Sequence, residues 1–321
     1  MEAMKKERVT IVVPCYNEQG DIPTFLEEIH PIMSKLTDYQ FKVLFIDDGS
    51  QDKTLRVLRE MTRRDKRIEY ITFSRHFGKE ASLYAGFANS DGDYIALMSL
   101  NMKEPRNLLP KMLKILSSGL YDCVATKISR KDDEINNKNV YSKLSNMIIG
   151  QISENELVED AMDFRIMRRQ MVQAILALGE YDRFSKSIYD WVGFRTYWLS
   201  YEEHMTETTS SKWNLNSFVK YTLDNVVNFS YAPLTLAFWC GIIFTVISFL
   251  VLIVCIVWEL IATNPVTGWI PIICIITFIG SIQLFCLGIL GQYLSRIFRE
   301  IKKRPHYIVG ETNKDGVLLT K

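Results

Sequence analysis

Hydrophobic residues in the first part of the chain fall into short runs separated by stretches of helical spacing. Apolar runs at residues 9–13, 41–46, 68–73 and 94–98, with a weaker one at 121–125, read as strands. Residues 22–36, 54–63, 79–88 and 108–116 carry apolar positions three and four apart and read as helices. Strands alternating with helices predict βαβ units and a mostly parallel sheet. The runs are nearly continuous, which suits strands buried on both faces. Beyond residue 231 the pattern changes. Residues 234–261 hold no charge before Glu259, and residues 269–294 hold none. Each run exceeds the roughly 20 residues that cross about 30 Å of hydrocarbon, and neither has a polar stripe. The predicted architecture is an α/β domain followed by a two-helix transmembrane hairpin, turned at residues 263–268, where Pro265 and Gly268 lie.

Charge orients this hairpin. The turn has no Lys or Arg, whereas Arg296, Arg299, Lys302, Lys303 and Arg304 follow the second run and Lys212 and Lys220 precede the first. The positive-inside rule therefore places both ends in the cytoplasm. Trp239, Trp258, Trp269 and Tyr293 stand toward the run ends, as interface anchors do. Residues 214–232, with Phe218, Leu223, Val226, Val227 and Phe229, read as a juxtamembrane amphipathic segment. The predicted divisions are 1–213 for the α/β domain, 214–232, 233–295 for the hairpin (234–261 and 269–294), and a basic cytoplasmic tail at 296–321. Residues 128–139 are polar and read as a loop; the following stripe of Val140, Tyr141, Leu144, Met147 and Ile148 suits a helix packed on a core, a bilayer or a neighbour. The start of the chain lacks the apolar core of a secretion signal. The net charge of +1 gives no reason to expect a nucleic-acid partner. The six cysteines form no CxxC pair and read as structural thiols in a reducing compartment.

In a parallel sheet, ligands bind at the carboxyl ends of the strands. Three such ends are polar here: residues 14–18 (PCYNE), 47–50 (DDGS) and 74–80 (SRHFGKE). Neither GxGxxG nor GxxxxGK[ST] occurs. Asp48 could accept from a base or ribose while Gly49 lets the backbone come close; an ordinary βα turn with a helix cap at Ser50 or Asp52 fits the spacing equally well.

Taken together, VVPCYNE at 12–18, DDGSQDKT at 47–54, SRHFGKEASLYAG at 74–86, DFRIM at 163–167, WVGFR at 191–195, SKW at 211–213 and RPHYIV at 304–309 resemble the family 2 glycosyltransferases of GT-A fold. Within that family the chain is most similar to the polyprenyl-phosphate (bactoprenol) branch, which resembles dolichyl-phosphate mannose synthase with a two-helix anchor. The resemblance implies a hexosyltransferase of the inner (plasma) membrane. It would move a hexose from a UDP- or GDP-linked sugar to undecaprenyl phosphate for cell-envelope glycan modification. It implies a nucleotide pocket lined by Pro14, Tyr16, Glu18, Asp48, Lys79 and Asn101, with Asp163 near the reacting centre. Arg165, Arg183, Lys186 and Lys212 become candidates for the acceptor phosphate, each equally explained as a solvated or headgroup-facing side chain. A homo-oligomer such as a tetramer, and a flippase or downstream glycosyltransferase, are the partners it implies.

The family also implies Mg²⁺ or Mn²⁺, held by DxD in a stretch of the form DADLQDPP. Here that stretch reads SLNMKEP at 99–105, so Ser99 and Asn101 take the carboxylate positions and Lys103 that of the Gln. Thr206 and Thr209 likewise replace the Arg and Gly of an RxxGxSKW pattern, and Ser187 stands where Gly is common. Three readings stay open. Lys103 supplies charge in a metal-independent transferase; Glu104 or Asp163 rebuilds a weak metal site; or the chain is a catalytically impaired paralogue that serves as a binding or scaffold subunit. A processive synthase is disfavoured, because no QxxRW occurs.

Overall fold

In a computed structural model the described residues are 6–100, 105–129, 161–181, 183–201 and 269–317. The chain divides into two compact units. The first comprises Met1–Asn139, Asn155–Ser210 and Arg304–Lys321; the second comprises Val140–Glu154 and Ser211–Lys303.

The first unit is built on an eight-stranded sheet. Strands β1 (Glu7–Cys15), β2 (Tyr39–Asp47), β3 (Ile68–Phe73) and β4 (Tyr94–Leu97) alternate with helices α1 (Asp21–Lys35), α2 (Thr54–Arg64) and α3 (Lys79–Ala88). After α4 (Leu109–Ser117) come β5 (Cys123–Ile128), β6 (Ala161–Arg168), α5 (Arg169–Ala177), α6 (Ser185–Trp191) and β7 (Thr196–Tyr201). A last strand, β8 (Val309–Thr312), follows the long helix of the second unit. The sheet order is β7-β5-β6-β4-β1-β2-β3-β8. Strands β3, β2, β1 and β4 are mutually parallel, whereas β6 runs antiparallel between β4 and β5 and β8 runs antiparallel along β3. The expected α/β class and Rossmann-like sheet are thus present, with antiparallel strands inserted toward both edges.

Strand alternation sorts the core into two layers. Ile11, Val13, Val43 and Phe45 face α1 and α4 through Ile22, Phe25, Ile29 and Met112, all fully buried. Val12, Leu44 and Ile46 face the other way, onto Leu83 and Phe87 of α3 and Met171 of α5. Gly86 lets α3 lie against β1: a Cβ there would stand 2.2 Å from Val12 Cγ1.

Three strands went unpredicted. Strand β6 carries Arg165 and Arg168, and β7 mixes Thr and Ser with aromatics, so neither gives an apolar run. Strand β8, VGET, is short and polar, and lies within the expected basic tail. That tail instead divides: residues 296–302 continue helix α7 (Trp269–Lys302), and residues from Arg304 rejoin the first unit. Tyr307, fully buried, stacks on Phe73 at 5.1 Å and accepts from Asn89 Nδ2 at 3.1 Å. Glu311 pairs with the Arg59 guanidinium and accepts from Tyr70 Oη at 2.6 Å.

Helix α7 begins where the second apolar run was expected to begin and extends past its end. Among the described residues no helix is long and apolar enough to cross a membrane. The first predicted span, the turn, the juxtamembrane segment, the 128–139 loop from residue 130 on and the stripe at 140–148 lie outside the described residues.

Candidate active site

The carboxyl ends of β1, β2 and β3 interlock through backbone and short polar side chains. Asn17, in the left-handed region at φ +55°, donates its N–H to Ser50 Oγ at 2.9 Å, and its Oδ1 accepts from Gln51 N–H at 2.8 Å. Gln19 Oε1 accepts from Lys53 N–H at 2.9 Å, and Thr54 Oγ1 accepts from Glu18 N–H at 3.1 Å. These bonds stitch the loop after β1 to the loop after β2. Asp48 then ties in the loop after β3. Its Oδ1 accepts from Phe77 N–H at 2.7 Å, and its Oδ2 from Gly78 N–H and His76 Nδ1, both at 2.9 Å. Gly49 allows this closure: its φ is +68°, and a Cβ would stand 2.4 Å from the Arg75 carbonyl carbon.

Asp48 was expected to meet a nucleotide. It is 3% exposed, and three of its roughly four lone-pair directions are engaged by the neighbouring loop. Its first task is therefore to hold three loops in register. Burial raises its carboxyl, and the Phe77 amide and His76 oppose that rise. Burial likewise raises Glu18, whose carboxylate accepts from Tyr16 N–H at 3.2 Å. Tyr16 is exposed, its ring 4.3 Å from that of His76 and tilted 34° to it, so the two offer an aromatic surface beside the strand ends. Pro14 ends the apolar part of β1, half-buried opposite Ile46.

A second group forms around the start of β6. Glu80 of α3 accepts from both the N–H (3.1 Å) and the hydroxyl of Ser185, which joins the N-termini of α3 and α6. The residues next to this link, Lys79 and Lys186, both turn to β6. The Lys79 ammonium pairs with Asp163, and Lys186 Nζ donates to the Ala161 carbonyl at 3.1 Å. Arg165, 3% exposed, lies over the Tyr189 ring at 3.8 Å. Burial would raise the Asp163 carboxyl, but Lys79, then Lys186 and Arg165, outweigh it and hold it below its usual range. Burial lowers the Lys186 ammonium, with Asp163 opposing. Asp163 is thus an ionised carboxylate among cations. The ladder of β4 on β6 ends with Leu97 paired to Arg165, and Ser99 and Asp163 each lie two residues beyond that last pair.

Arg183 is placed differently. Its guanidinium donates to the carbonyls of Leu178 (2.6 Å) and Ile175 (3.1 Å) and lies over Tyr84, so it closes the end of α5. Asn101, Lys103 and Lys212 lie outside the described residues. Sequence reading missed His76, Glu80 and Ser185 as site-builders. Their signal was only adjacency to singled-out residues.

Among the described residues the donor set does not fit the metal that the resemblance implies. Ser99 contributes a neutral hydroxyl where a carboxylate is needed, and Asp163 is already paired with an ammonium. Among the described residues no group of three His, Cys, Asp or Glu side chains is placed to hold a metal ion.

The sequence profile described as "Glycosyl transferase family 2" matches residues 10–176, which hold most of this site. CsbB of Bacillus subtilis (strain 168), to which a glycosyltransferase activity is attributed, is 36% identical over 313 residues, covering 97% of this chain and 93% of that protein. The bactoprenol glucosyl transferase of Shigella phage SfII is 30% identical over 307 residues, 96% of this chain and 99% of the relative. Among solved structures, the mannosyltransferase PcManGT from Pyrobaculum calidifontis in complex with GDP-Man and Mn²⁺ is 12% identical, covers 91% of this chain and 88% of its own, and has a TM-score of 0.47. On the profile match and the near-complete alignment with its relatives, this chain is a glycosyltransferase and belongs to glycosyl transferase family 2.

Proposed function

We propose that the chain transfers a hexose from a UDP- or GDP-linked sugar to the phosphate of a membrane polyprenol, undecaprenyl phosphate in a bacterium. The reaction takes place at the cytoplasmic face and serves cell-envelope glycan modification. The observation that carries this reading is the Asp163 cluster: a carboxylate ringed by Lys79, Lys186 and Arg165, beside the interlocked strand-end loops. An acceptor phosphate is an anion, and the surplus of cations around Asp163 suits one. The relatives named bactoprenol glucosyl transferase support the lipid as acceptor.

In this reading Tyr16 and His76 offer the aromatic face to the base, and Lys79 meets the diphosphate. An acceptor phosphate oxygen attacks the anomeric carbon of the sugar. The bond from that carbon to the nucleoside diphosphate oxygen breaks, and the nucleoside diphosphate leaves with the electron pair. The acceptor is already ionised, so Asp163 need not remove a proton and serves to orient it. Lys186 contacts the acceptor phosphate, and the buried Arg165 adds its charge from behind. From the sequence, Lys103 and Lys212 add further charge to the same reaction.

The lipid substrate calls for a membrane-held enzyme. We place the hairpin at residues 234–261 and 269–294, with both termini in the cytoplasm. Along α7 the exposed Ile272, Ile276 and Ile279, and again Leu287, Leu290 and Leu294, recur at three- and four-residue intervals, which supports contact with lipid.

The test is an assay of the full-length protein with undecaprenyl phosphate and a panel of UDP- and GDP-sugars, with the product identified by mass spectrometry. A glycosylated lipid phosphate is expected with one donor. Nucleotide binding without product from any donor would instead favour a scaffold subunit, the reading that the neutral Ser99 supports.

A further inference from the structure

One buried cation holds the end of β4. The Arg106 guanidinium is 3% exposed; Nη2 donates to the carbonyl of Leu100 at 3.0 Å and, more weakly, to that of Ser99 at 3.5 Å. Nη1 pairs with Glu28 of α1, and the group stacks on Phe25 at 4.7 Å. The backbone of Ser99 and Leu100 is thereby pinned to the helix layer behind it. A planar fork can hold two carbonyls and a carboxylate together, which a point-charge ammonium cannot.

Among the described residues around that backbone, the usual requirement for a hard divalent cation is missing. Such ions take oxygen ligands that include carboxylates. Just past the strand end stands Ser99, a neutral hydroxyl, and the Asp163 carboxylate on β6 already holds the Lys79 ammonium. That ammonium sits on an exposed side chain at the N-terminus of α3, and with three donors it can meet a diphosphate while keeping its bond to Asp163.

Resting on the nucleotide-sugar reading above, we infer that this chain binds its donor without a divalent cation: the Lys79 ammonium supplies the charge that faces the diphosphate, and Arg106 is a positioning residue that fixes the strand end. Both tasks commonly fall to a bound metal, which bridges the phosphates and draws its loop into shape. Here two side chains of the chain divide them.

The experiment measures UDP and GDP binding to the full-length protein by calorimetry, in excess EDTA and in excess Mn²⁺. The preferred nucleotide should bind with the same affinity, within about twofold, in both buffers. Lys79→Met should weaken binding about tenfold or more in both, as loss of a charged contact does. Arg106→Lys keeps the charge beside Glu28 and loses the fork. It should weaken binding several-fold while the unfolding temperature holds. Tenfold or greater tightening by Mn²⁺ in the unaltered protein would overturn the inference and leave the nucleotide-sugar reading intact. Unchanged affinity in Arg106→Lys, with only a lowered unfolding temperature, would overturn the positioning role. Absence of UDP and GDP binding in both buffers would remove the nucleotide-sugar reading and this inference together.

Discussion

Asp163 and Lys79 sit 84 residues apart in sequence and share one ion pair at the centre of the candidate site. Asp163→Asn removes the orienting carboxylate without changing its size, and kcat should fall roughly 10²-fold, the scale of a misplaced reactant. A steady-state assay with saturating donor and acceptor checks this. The same residue makes a pH prediction. Its folded carboxyl lies below the usual 3.8, so the stability it contributes is present above that value. That stability is lost as pH falls through the lower folded value. Acid unfolding followed by tryptophan fluorescence should therefore be less steep at its acid end in Asp163→Asn. Gly49 sets a limit of another kind. Alanine there brings both a positive φ and a 2.4 Å approach to the Arg75 backbone. Gly49→Ala should cost about 2 kcal/mol or more, read by urea denaturation, and should weaken nucleotide binding because three loops close at that point. The turn at Gly49 was legible, because DDGS after an apolar run already specifies one; that Asp48 and Gly49 meet the distant loop after β3 was not. Nor was the role of Arg183. Its sequence neighbours place a cation there but do not say that its donors meet the carbonyls of Leu178 and Ile175.

At the scale of elements, the four parallel strands and their helices could be read because each is a local apolar run with its own period. Strands β6 and β8 are formed by their partners instead. In β6, buried Phe164, Ile166 and Met167 are interrupted by Arg165, whose charge lies over Tyr189. In β8, the exchange with β3 and the pairs Arg59–Glu311 and Lys314–Glu69 hold a polar strand that has little apolar surface of its own. The anchor of this edge is Tyr307. Tyr307→Ala should destabilise the first unit by about 3–5 kcal/mol, as loss of a fully buried aromatic does. Tyr307→Phe, which keeps the ring and loses the bond from Asn89, should cost about 1 kcal/mol. Urea unfolding of both variants separates the packing from the hydroxyl. Glu311 adds a pH signature: Arg59 and the Tyr70 hydroxyl hold its carboxyl at about 2 against a usual 4.5. Its contribution is present above 4.5 and disappears as pH falls toward 2. Glu311→Gln should flatten that part of the stability profile.

For the whole molecule, the two units differ in what they ask of their surroundings. The first has a core on each face of its sheet; along α7, apolar side chains recur at the surface. The full-length protein should sediment with membranes, resist alkaline carbonate and be released by detergent. Recovery in the carbonate supernatant would count against the hairpin at 234–294. In the sequence, hydropathy points to a change at the same stage of the chain, because the long uncharged runs after residue 231 differ from the short apolar runs before it. What hydropathy could not show is that the chain returns from the second unit to add a strand to the first.

That return makes assembly depend on timing. Tyr70 and Glu311, bonded across the last strand pair, lie 241 residues apart. A growing chain exposes the outer edge of β3, with unpaired amides and carbonyls, through the synthesis of everything between them. At roughly 5–20 residues per second that interval lasts tens of seconds. Over the same period residues 234–294 must also leave the ribosome. The α/β unit can close its edge only after they have done so, which makes synthesis of the second unit a precondition for completing the sheet of the first.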